Sequence, residues 1–292
     1  MIRGPVALAT CREALGLDTD MPLVEAALQR LDVVSDVLPW DAAVDWSRFA
    51  LVVIRSTWDY HRRHQEFLQW VRSVSQVTRL ANSSDIIVWN TDKRYLEELA
   101  GAGVPTVPTT FVAPGDVVPQ VVIDTLFARG DVVVKPTISA GSNDTERHGD
   151  IASMRAHLGV LHRAGRTAMV QPYLHDVDTA SETGLVYIDG RYSHAFAKGP
   201  MLRDPKTMAE GLYAEERIDV RRATTPELSL GERVIQIVTE RFGTPLYARV
   251  DLLPTPDGPV IIEVEMTEPS LYVHVDGDAA GRLADAILRR CA

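Results

Sequence analysis

Cysteine is scarce: Cys11 and Cys291 stand at opposite ends of 292 residues. That pattern fits neither a disulfide framework nor a cysteine-based zinc site, and both thiols are expected to be reduced. Positive charge is also short, with 30 Lys plus Arg against 40 Asp plus Glu and a net charge of −10. Bulk electrostatics therefore argue against nucleic acid as a partner, although a few basic groups focused in one cleft still suit a nucleotide. No run of eighteen apolar residues is present, so no membrane partner is expected. The opening "MIRGPVALATC" passes straight into a strand pattern without a charged region, apolar core and cleavage site, and a cytoplasmic location is the expectation. A GxxxxGK[ST] loop and a strand-following GxGxxG are both missing, which disfavours two common nucleotide folds. The eight histidines show no ligand set, and His61 with His64 reads as a solvated helix face.

What is present suits two or three packed lobes, given 46% hydrophobic and 24% charged residues over this length. Strand-like runs at 5–11, 32–39 and 49–55 alternate with helical periodicity at 21–31 and 61–77, a βαβ-type opening. "DIIVWN" (85–90) reads as a short strand closing this lobe, with ligand positions expected at the carboxyl ends of its strands. A helix follows, capped by Asp92 with Thr91 as the competing cap, and ends at Gly101 to Gly103. Beyond it lie a strand at 131–136, a helix near 150–164, a strand at 167–174, and a hairpin at 182–199 turning on Asp189-Gly190. A last helix at 231–243 precedes "LYARVDLLPTPDGPVIIEVEM".

That final stretch is the most informative. Glu263 and Glu265 are two apart in a strand pattern and so share a face. Pro256, Asp257 and Gly258 suit a three-residue hairpin loop, which places Asp251 opposite Glu263 and Arg249 opposite Glu265. Directly opposed side chains are about 4.5–5.5 Å apart, so three carboxylates this close call for a cation. Oxygen donors without Cys or His suit Mg²⁺. The plainer alternative is the solvent face of a half-exposed strand, with Arg249 pairing one glutamate.

Lys135 ends the valine run "DVVVKP" and reads either as a gatekeeper at a strand edge or as a cation reaching into a cleft. The following "TISAGSND" has the small residues that let backbone N–H groups approach phosphate oxygens. In order, "NTDKRYLEELAGAGVPTVPT", "VVVKPTISAGSND", "MVQPYL", "ARVDLL" and "IIEVEM" resemble the ATP-grasp superfamily over about residues 85–275. The resemblance implies an α/β (α+β) ATP-grasp fold in three parts. These are a pre-ATP-grasp, Rossmann-like substrate lobe (1–90), a small lid lobe (91–172) and a C-terminal lobe with the Mg²⁺ site (173–292).

The same resemblance implies residue roles. Lys93 and Lys135 match the phosphate-contacting lysines, and Ser139, Ala140, Gly141, Ser142 and Asn143 the loop that closes over ATP. Gln171, Tyr173 and Leu174 match the adenine linker; Asp178 matches the ribose acid, with Asp176 and Glu182 as alternatives in the same segment. Asp251, Glu263 and Glu265 match ligands for Mg²⁺, two ions with Mn²⁺ as a substitute, and Arg249 and Lys198 are the catalytic cations. Each lysine also has a plain reading as surface or strand-end charge. Glu265 stands where the family often has Asn, and "TEPSLY" where it often has "PG".

In the front lobe, Arg12 and Arg55 are candidate carboxylate clamps, Asp18 or Asp59 a candidate amine partner, and Thr57, Trp58 and Tyr60 candidate pocket walls. The expected reaction is activation of a carboxylate as an acyl phosphate, followed by attack of a nitrogen nucleophile. Chain size, "TCREALGLD", "STWDY" and "EVEMTEPSLY" are similar to the small stand-alone group of O-ureido-D-serine cyclo-ligases, which implies an amino-acid-like substrate and antibiotic biosynthesis. An amino-acid or dipeptide ligase resembling glutathione synthetase, a non-catalytic ATP-binding protein and a small-molecule kinase are the alternatives. The oligomeric state stays open, a homodimer included.

Overall fold

The computed structural model describes residues 4–200, 202 and 217–291. The front lobe runs β1 (Val6–Thr10), α1 (Met21–Arg30), β2 (Ser35–Pro39), β3 (Leu51–Ser56), α2 (His64–Val77) and β4 (Leu80–Ala81). Its sheet is parallel, in the order β2-β1-β3-β4. β1 and β3 are buried along their whole length, as expected of strands covered on both faces. The apolar stripe of α2 buries Phe67, Leu68, Val71 and Val74 at helical spacing.

The run at 85–90 is not a strand. It folds as α3 (Ser84–Asn90), with the Ser83 side chain accepting from the Ile86 amide and Ile86, Ile87 and Asn90 buried at helical spacing. Short apolar runs bury equally well in either form, and here the cap decides. The next helix, α4 (Tyr95–Gly101), begins three residues after Asp92, whose carboxylate accepts from the Arg94 amide in a turn of its own. Ile86, Tyr95, Leu96 and Leu99 pack in one core with Leu185, Tyr187, Val234 and Val250, so α3 and α4 lie on the C-terminal sheet.

The middle sheet comprises β5 (Thr110–Val112), β6 (Val132–Pro136), β7 (Glu146–His148) and β8 (Ala168–Pro172), antiparallel in the order β5-β8-β6-β7. Helices α5 (Gln120–Phe127) and α6 (Ile151–Arg163) share its core through Ile123, Leu126, Met154, Leu158 and Leu161. After the short α7 (Val177–Ala180) come β9 (Glu182–Ile188), β10 (Arg191–Lys198) and β11 (Ile218–Val220). Asp189 and Gly190 both take positive φ, as a two-residue Asp-Gly turn requires. Helix α8 (Thr225–Phe242) starts earlier than its apolar pattern because Thr224 and Glu227 form a reciprocal capping box.

β12 (Tyr247–Leu253) and β13 (Val260–Glu265) complete the antiparallel order β11-β10-β9-β12-β13. Asp251 lies opposite Glu263 and Arg249 opposite Glu265, the pairing the turn implied. Nearer the turn, however, Leu252 pairs with Ile261 and Leu253 with Val260, so the loop is longer than three residues and one extra residue on β13 makes a bulge. Residues 105–107 cover the outer edge of β13 through Val107 N–H to Ile261 O and Ile261 N–H to Pro105 O, both 2.9 Å.

Among the described residues, three further α-helices lie beyond the sequence-based expectations: α5, α7 and a last one that joins two lobes. α9 (Ala279–Cys291) buries Leu283, Ala284, Ile287 and Cys291 in a core shared with Val6, Leu8, Val24 and Leu28 of the front lobe and with Val186 and Tyr247 of the C-terminal sheet. Among the described residues no helix is long and apolar enough to cross a membrane. Asn82, just after β4, links the same two sheets with polar bonds: its Nδ2 donates to Tyr247 O (2.9 Å) and Met266 O (2.7 Å), and its Oδ1 accepts from the Leu246 amide (2.6 Å).

Asn82 is buried, so Asn82→Ala strands three backbone groups. The expected loss is on the order of 3 kcal/mol of unfolding free energy by urea titration. A loss below about 0.5 kcal/mol, the range of an ordinary surface change, would show that water replaces these bonds.

Candidate active site

β12 and β13 present Arg249, Asp251, Glu263 and Glu265 on one face, and the bulge at their far end leaves that phase intact. The Arg249 guanidinium binds both oxygens of Asp251, with Nε donating at 2.9 and 3.1 Å and Nη2 at 2.8 Å, and also pairs with Glu265. Its Nη1 donates to Ser270 O at 3.0 Å. Asp251 is 1% exposed and sealed beneath this cation, whereas Glu263 and Glu265 keep 24% and 26% of their side-chain surface.

Those two glutamates face a cavity of about 520 Å³ where the three sheets meet. Lys93, just ahead of α4, reaches it with Nζ 3.1 Å from Glu263, 2.8 Å from Ser139 O and 3.1 Å from Ser139 Oγ. Lys135, from β6, is also buried and lines the same space. The loop after β6 arches over it: Ser139, Ala140, Gly141 and Ser142 all line the cavity, and positive φ at Gly141, Ser142 and Asp144 makes the tight arch. Asn143 stays outside the lining and donates from Nδ2 to Ala140 O at 2.7 Å. Arg166 clamps the loop's end, pairing with Asp144 and donating to Ile138 O.

Gln171, Tyr173 and Leu174 line the cavity at the end of β8, with Arg147 stacked 3.7 Å from the Tyr173 ring centre. Asp178 lies behind them and accepts from the Tyr173 hydroxyl at 2.6 Å. Glu182 does line the cavity, 2.6 Å from Lys198 Nζ across the β9–β10 pair.

The front lobe contributes less than its loops suggested. Trp58 lines the cavity and donates from Nε1 to Glu268 O at 3.1 Å, and Tyr60 also lines it. Arg12 does not: its side chain is 66% exposed and faces Asp41. Arg55 is 1% exposed, 3.4 Å from Asp20, and stacks over Tyr247; Asp20 also accepts from the amides of Leu271, Tyr272 and Val273. The pair thus braces the 271–273 segment from behind. Asp59 accepts from Trp40 Nε1 and Arg63, Asp18 caps the Asp20 amide, and Thr57 is fully buried; none of the three lines the cavity. His61 and His64 are half-buried, bonding Trp58 O and Thr91 Oγ1 at 3.0 Å, and burial pushes His61 down to about 4.

Glu268, Ser270, Tyr272 and His274 line the cavity although sequence reasoning assigned them nothing. Their every-second-residue spacing is the signal that was available, in a segment marked only as departing from its pattern.

Charge balance is uneven here. Burial opposes ionisation of Glu263, but Lys93 and Lys135 outweigh it and hold the carboxyl well below its usual range. Burial raises Glu265, Glu182 and Glu268, with Arg249 offsetting only part at Glu265 and Lys198 only part at Glu182. Burial likewise pushes Lys135 down, against the pull of Glu263. Arg249 is driven further up by Asp251 and Glu265 despite its burial.

The model of the N-terminal domain of D-cycloserine synthetase DcsG matches residues 6–82. A cycloserine biosynthesis protein of Streptomyces lavendulae, DcsG, is 38% identical over 300 residues, covering 98% of this chain and 99% of that protein. The chain belongs to the D-cycloserine synthetase family. The crystal structure of D-cycloserine synthetase DcsG superposes with a TM-score of 0.90 at 37% identity, covering 99% of this chain and 100% of that one. The ATP-grasp ligase PsnB, solved with a precursor variant, Mg and ADP, gives a TM-score of 0.66 at 16% identity over the full length of both. The fold is ATP-grasp, and this member of the synthetase family is a ligase.

A carboxyl with a raised folded pKa still holds its proton where the unfolded chain has lost its own, so stability falls as pH climbs above about 4.3. Glu182, Glu265 and Glu268 act in that sense, while the opposite contribution of Glu263 is lost only as pH falls below the usual carboxylate range. The histidines lowered by burial, His61, His64, His148, His157 and His194, act in the opposite sense but are common to wild type and variant, so in chelator the melting temperature of Glu265→Gln relative to wild type should rise as pH goes from about 5 toward neutrality. A difference that stays flat or falls over this window would contradict the charge assignment at Glu265.

Proposed function

We propose that the cavity is the active site of an ATP- and Mg²⁺-dependent cyclo-ligase, which activates the carboxylate of O-ureido-D-serine as an acyl phosphate and closes the D-cycloserine ring by intramolecular nitrogen attack. The observation that carries this is the convergence of Lys93, Lys135 and Arg249 with Glu263 and Glu265 around one cavity. Three separate chain segments supply these charges, and all of them would be costly to bury without a highly charged ligand and its cation.

The donor set fits a hard dication. Glu263 and Glu265 present oxygens to the cavity, Asp251 on the same face is held by Arg249 through both oxygens and would join the set only on releasing it, and Glu265 is raised by burial that Arg249 offsets only in part. Two Mg²⁺ ions, or Mn²⁺ in their place, would neutralise phosphate charge there. In this reading Lys93 and Lys135 hold ATP phosphate oxygens, and residues 139–143 close over them. Gln171, Tyr173 and Leu174 frame adenine, with Val133, Leu253 and Ile262 as apolar walls, and Glu182 or Asp178 takes the ribose. Arg249 stabilises charge developing on the carboxyl being activated, and Lys198 serves as a second cation.

The three sheets then act as substrate lobe, lid and catalytic lobe, with α3 and α4 built onto the last. Substrate contacts shift from Arg12 and Arg55 to Trp58 and the segment 268–274, where Glu268 suits a substrate amine.

ADP release with Mg²⁺ and O-ureido-D-serine alone, with product mass measured, tests this reading. Turnover by that single substrate is expected; release only with pairs of amino acids would replace the cyclo-ligase with a two-substrate ligase. Glu263→Gln should lower turnover on the order of 10²–10³-fold at unchanged fold by circular dichroism, and full activity in that variant would remove Glu263 from the metal set.

A further inference from the structure

A second cluster of donor atoms lies in the middle sheet, outside the lining of the cavity. Glu146 and His148 are two apart on the edge strand β7 and share a face, and α6 folds back to place His157 against them. His148 Nε2 and His157 Nδ1 are 3.1 Å apart, and Glu146 Oε2 lies 3.9 Å from the first and 3.8 Å from the second. The imidazoles are 5% and 6% exposed, whereas the glutamate side chain keeps 30% of its surface, which leaves a path in from solvent.

Nitrogen ligands at about 2.0–2.1 Å around a tetrahedral ion stand roughly 3.3 Å from one another. The two ring nitrogens already have that spacing. The carboxylate oxygen needs to move inward by about 0.5 Å, within reach of a rotation of a partly exposed side chain. Two imidazoles and one carboxylate favour a transition-metal dication over Mg²⁺, and three protein ligands leave a fourth position for water.

We propose that Glu146, His148 and His157 form a binding site for a zinc-class dication. The ion ties β7 to α6 immediately after the loop that arches over the cavity, since Thr145, the residue before Glu146, is itself part of the cavity lining. It therefore fixes the carboxyl end of that loop, as Lys93 fixes its start at Ser139. The site stands on its own geometry and is independent of the ligase assignment.

Metal-stripped full-length protein, kept in excess Mg²⁺ so that the carboxylate face is filled, is titrated with Co²⁺ as a visible-absorbing probe. One equivalent should produce four-coordinate absorption bands that one equivalent of Zn²⁺ abolishes. Glu146→Gln, at a partly exposed position, should weaken Co²⁺ binding by more than the roughly 10–100-fold that loss of an outer-shell partner costs, with unchanged far-UV circular dichroism. His157→Asn should remove the bands. Absence of bands in the wild type, or equal affinity in Glu146→Gln, would overturn the proposal and leave the imidazoles as a simple hydrogen bond stapling β7 to α6.

Discussion

The Arg249 guanidinium, buried between Asp251 and Glu265, is the constraint around which the rest is arranged. A buried charge has to be matched within a few ångströms, and a buried pair that loses one partner costs several kcal/mol, about 3–5 in measured cases. Matching fixes the strand register: Arg249 and Asp251 are two apart on β12 and share a face in any register, but a slip of one residue would turn both away from Glu263 and Glu265 and leave Arg249 without its cross-strand partner. It also fixes the neighbours. Glu263 stands on the same face without the arginine, so Lys93 and Lys135 must come from other elements to meet it. The bulge on β13 lets the strand follow the twist toward its turn without disturbing that face.

How the carboxylate face is held depends on buried polar bonds more than on apolar area. Asn82 binds the start of β12 and the end of β13 to the front sheet, and Asn90 Nδ2 and Oδ1 take Val264 O and the Met266 amide, each at 2.7 Å. Asp20, backed by Arg55, collects three consecutive amides from 271–273. Each bond is worth about 1 kcal/mol net but costs more when only one partner is left, so these residues specify position beyond what a packed core would. The middle sheet reaches the cavity through Lys135 on β6, Gln171 and Tyr173 at the end of β8, and its arched loop, which Lys93 holds at Ser139. The rigid side of the cavity carries the carboxylates, and the loop side carries small residues.

The residues legible in sequence were those whose geometry is local. A two-residue period gave the shared face of Glu263 and Glu265, and Pro256-Asp257-Gly258 gave the register at Asp251, though the loop closes differently. The run at 85–90 misled because apolar content alone does not separate helix from strand, and the Ser83 cap carried the answer. Helix α9 has helically spaced buried positions, but several of them are alanines, which mark an apolar stripe only faintly in sequence. What sequence does not show is which face of a loop meets another lobe. Arg55 and Asp59 sit at a strand end, where ligands are commonly bound, yet each is engaged by a partner distant in sequence, Asp20 and Trp40. His148 and His157 are nine residues apart and meet only because α6 folds back over β7.

The burial of Arg55 has a consequence for specificity. A guanidinium at 1% exposure, paired with Asp20 and stacked on Tyr247, cannot turn to a carboxylate in the cavity without leaving Asp20 uncompensated behind the 271–273 segment. Its effect on the cavity is exerted through that segment, whose neighbours Ser270, Tyr272 and His274 line the wall in alternation with the buried Leu271 and Val273. Arg55 and Asp20 thus shape the cavity from behind, by setting where one extended stretch of the C-terminal lobe lies, while Trp58 and Tyr60 of the same lobe line it directly. Changes at Arg55 or Asp20 would act on the cavity only as far as they move that stretch, whereas a change at Trp58, Glu268 or Tyr272 alters the wall directly.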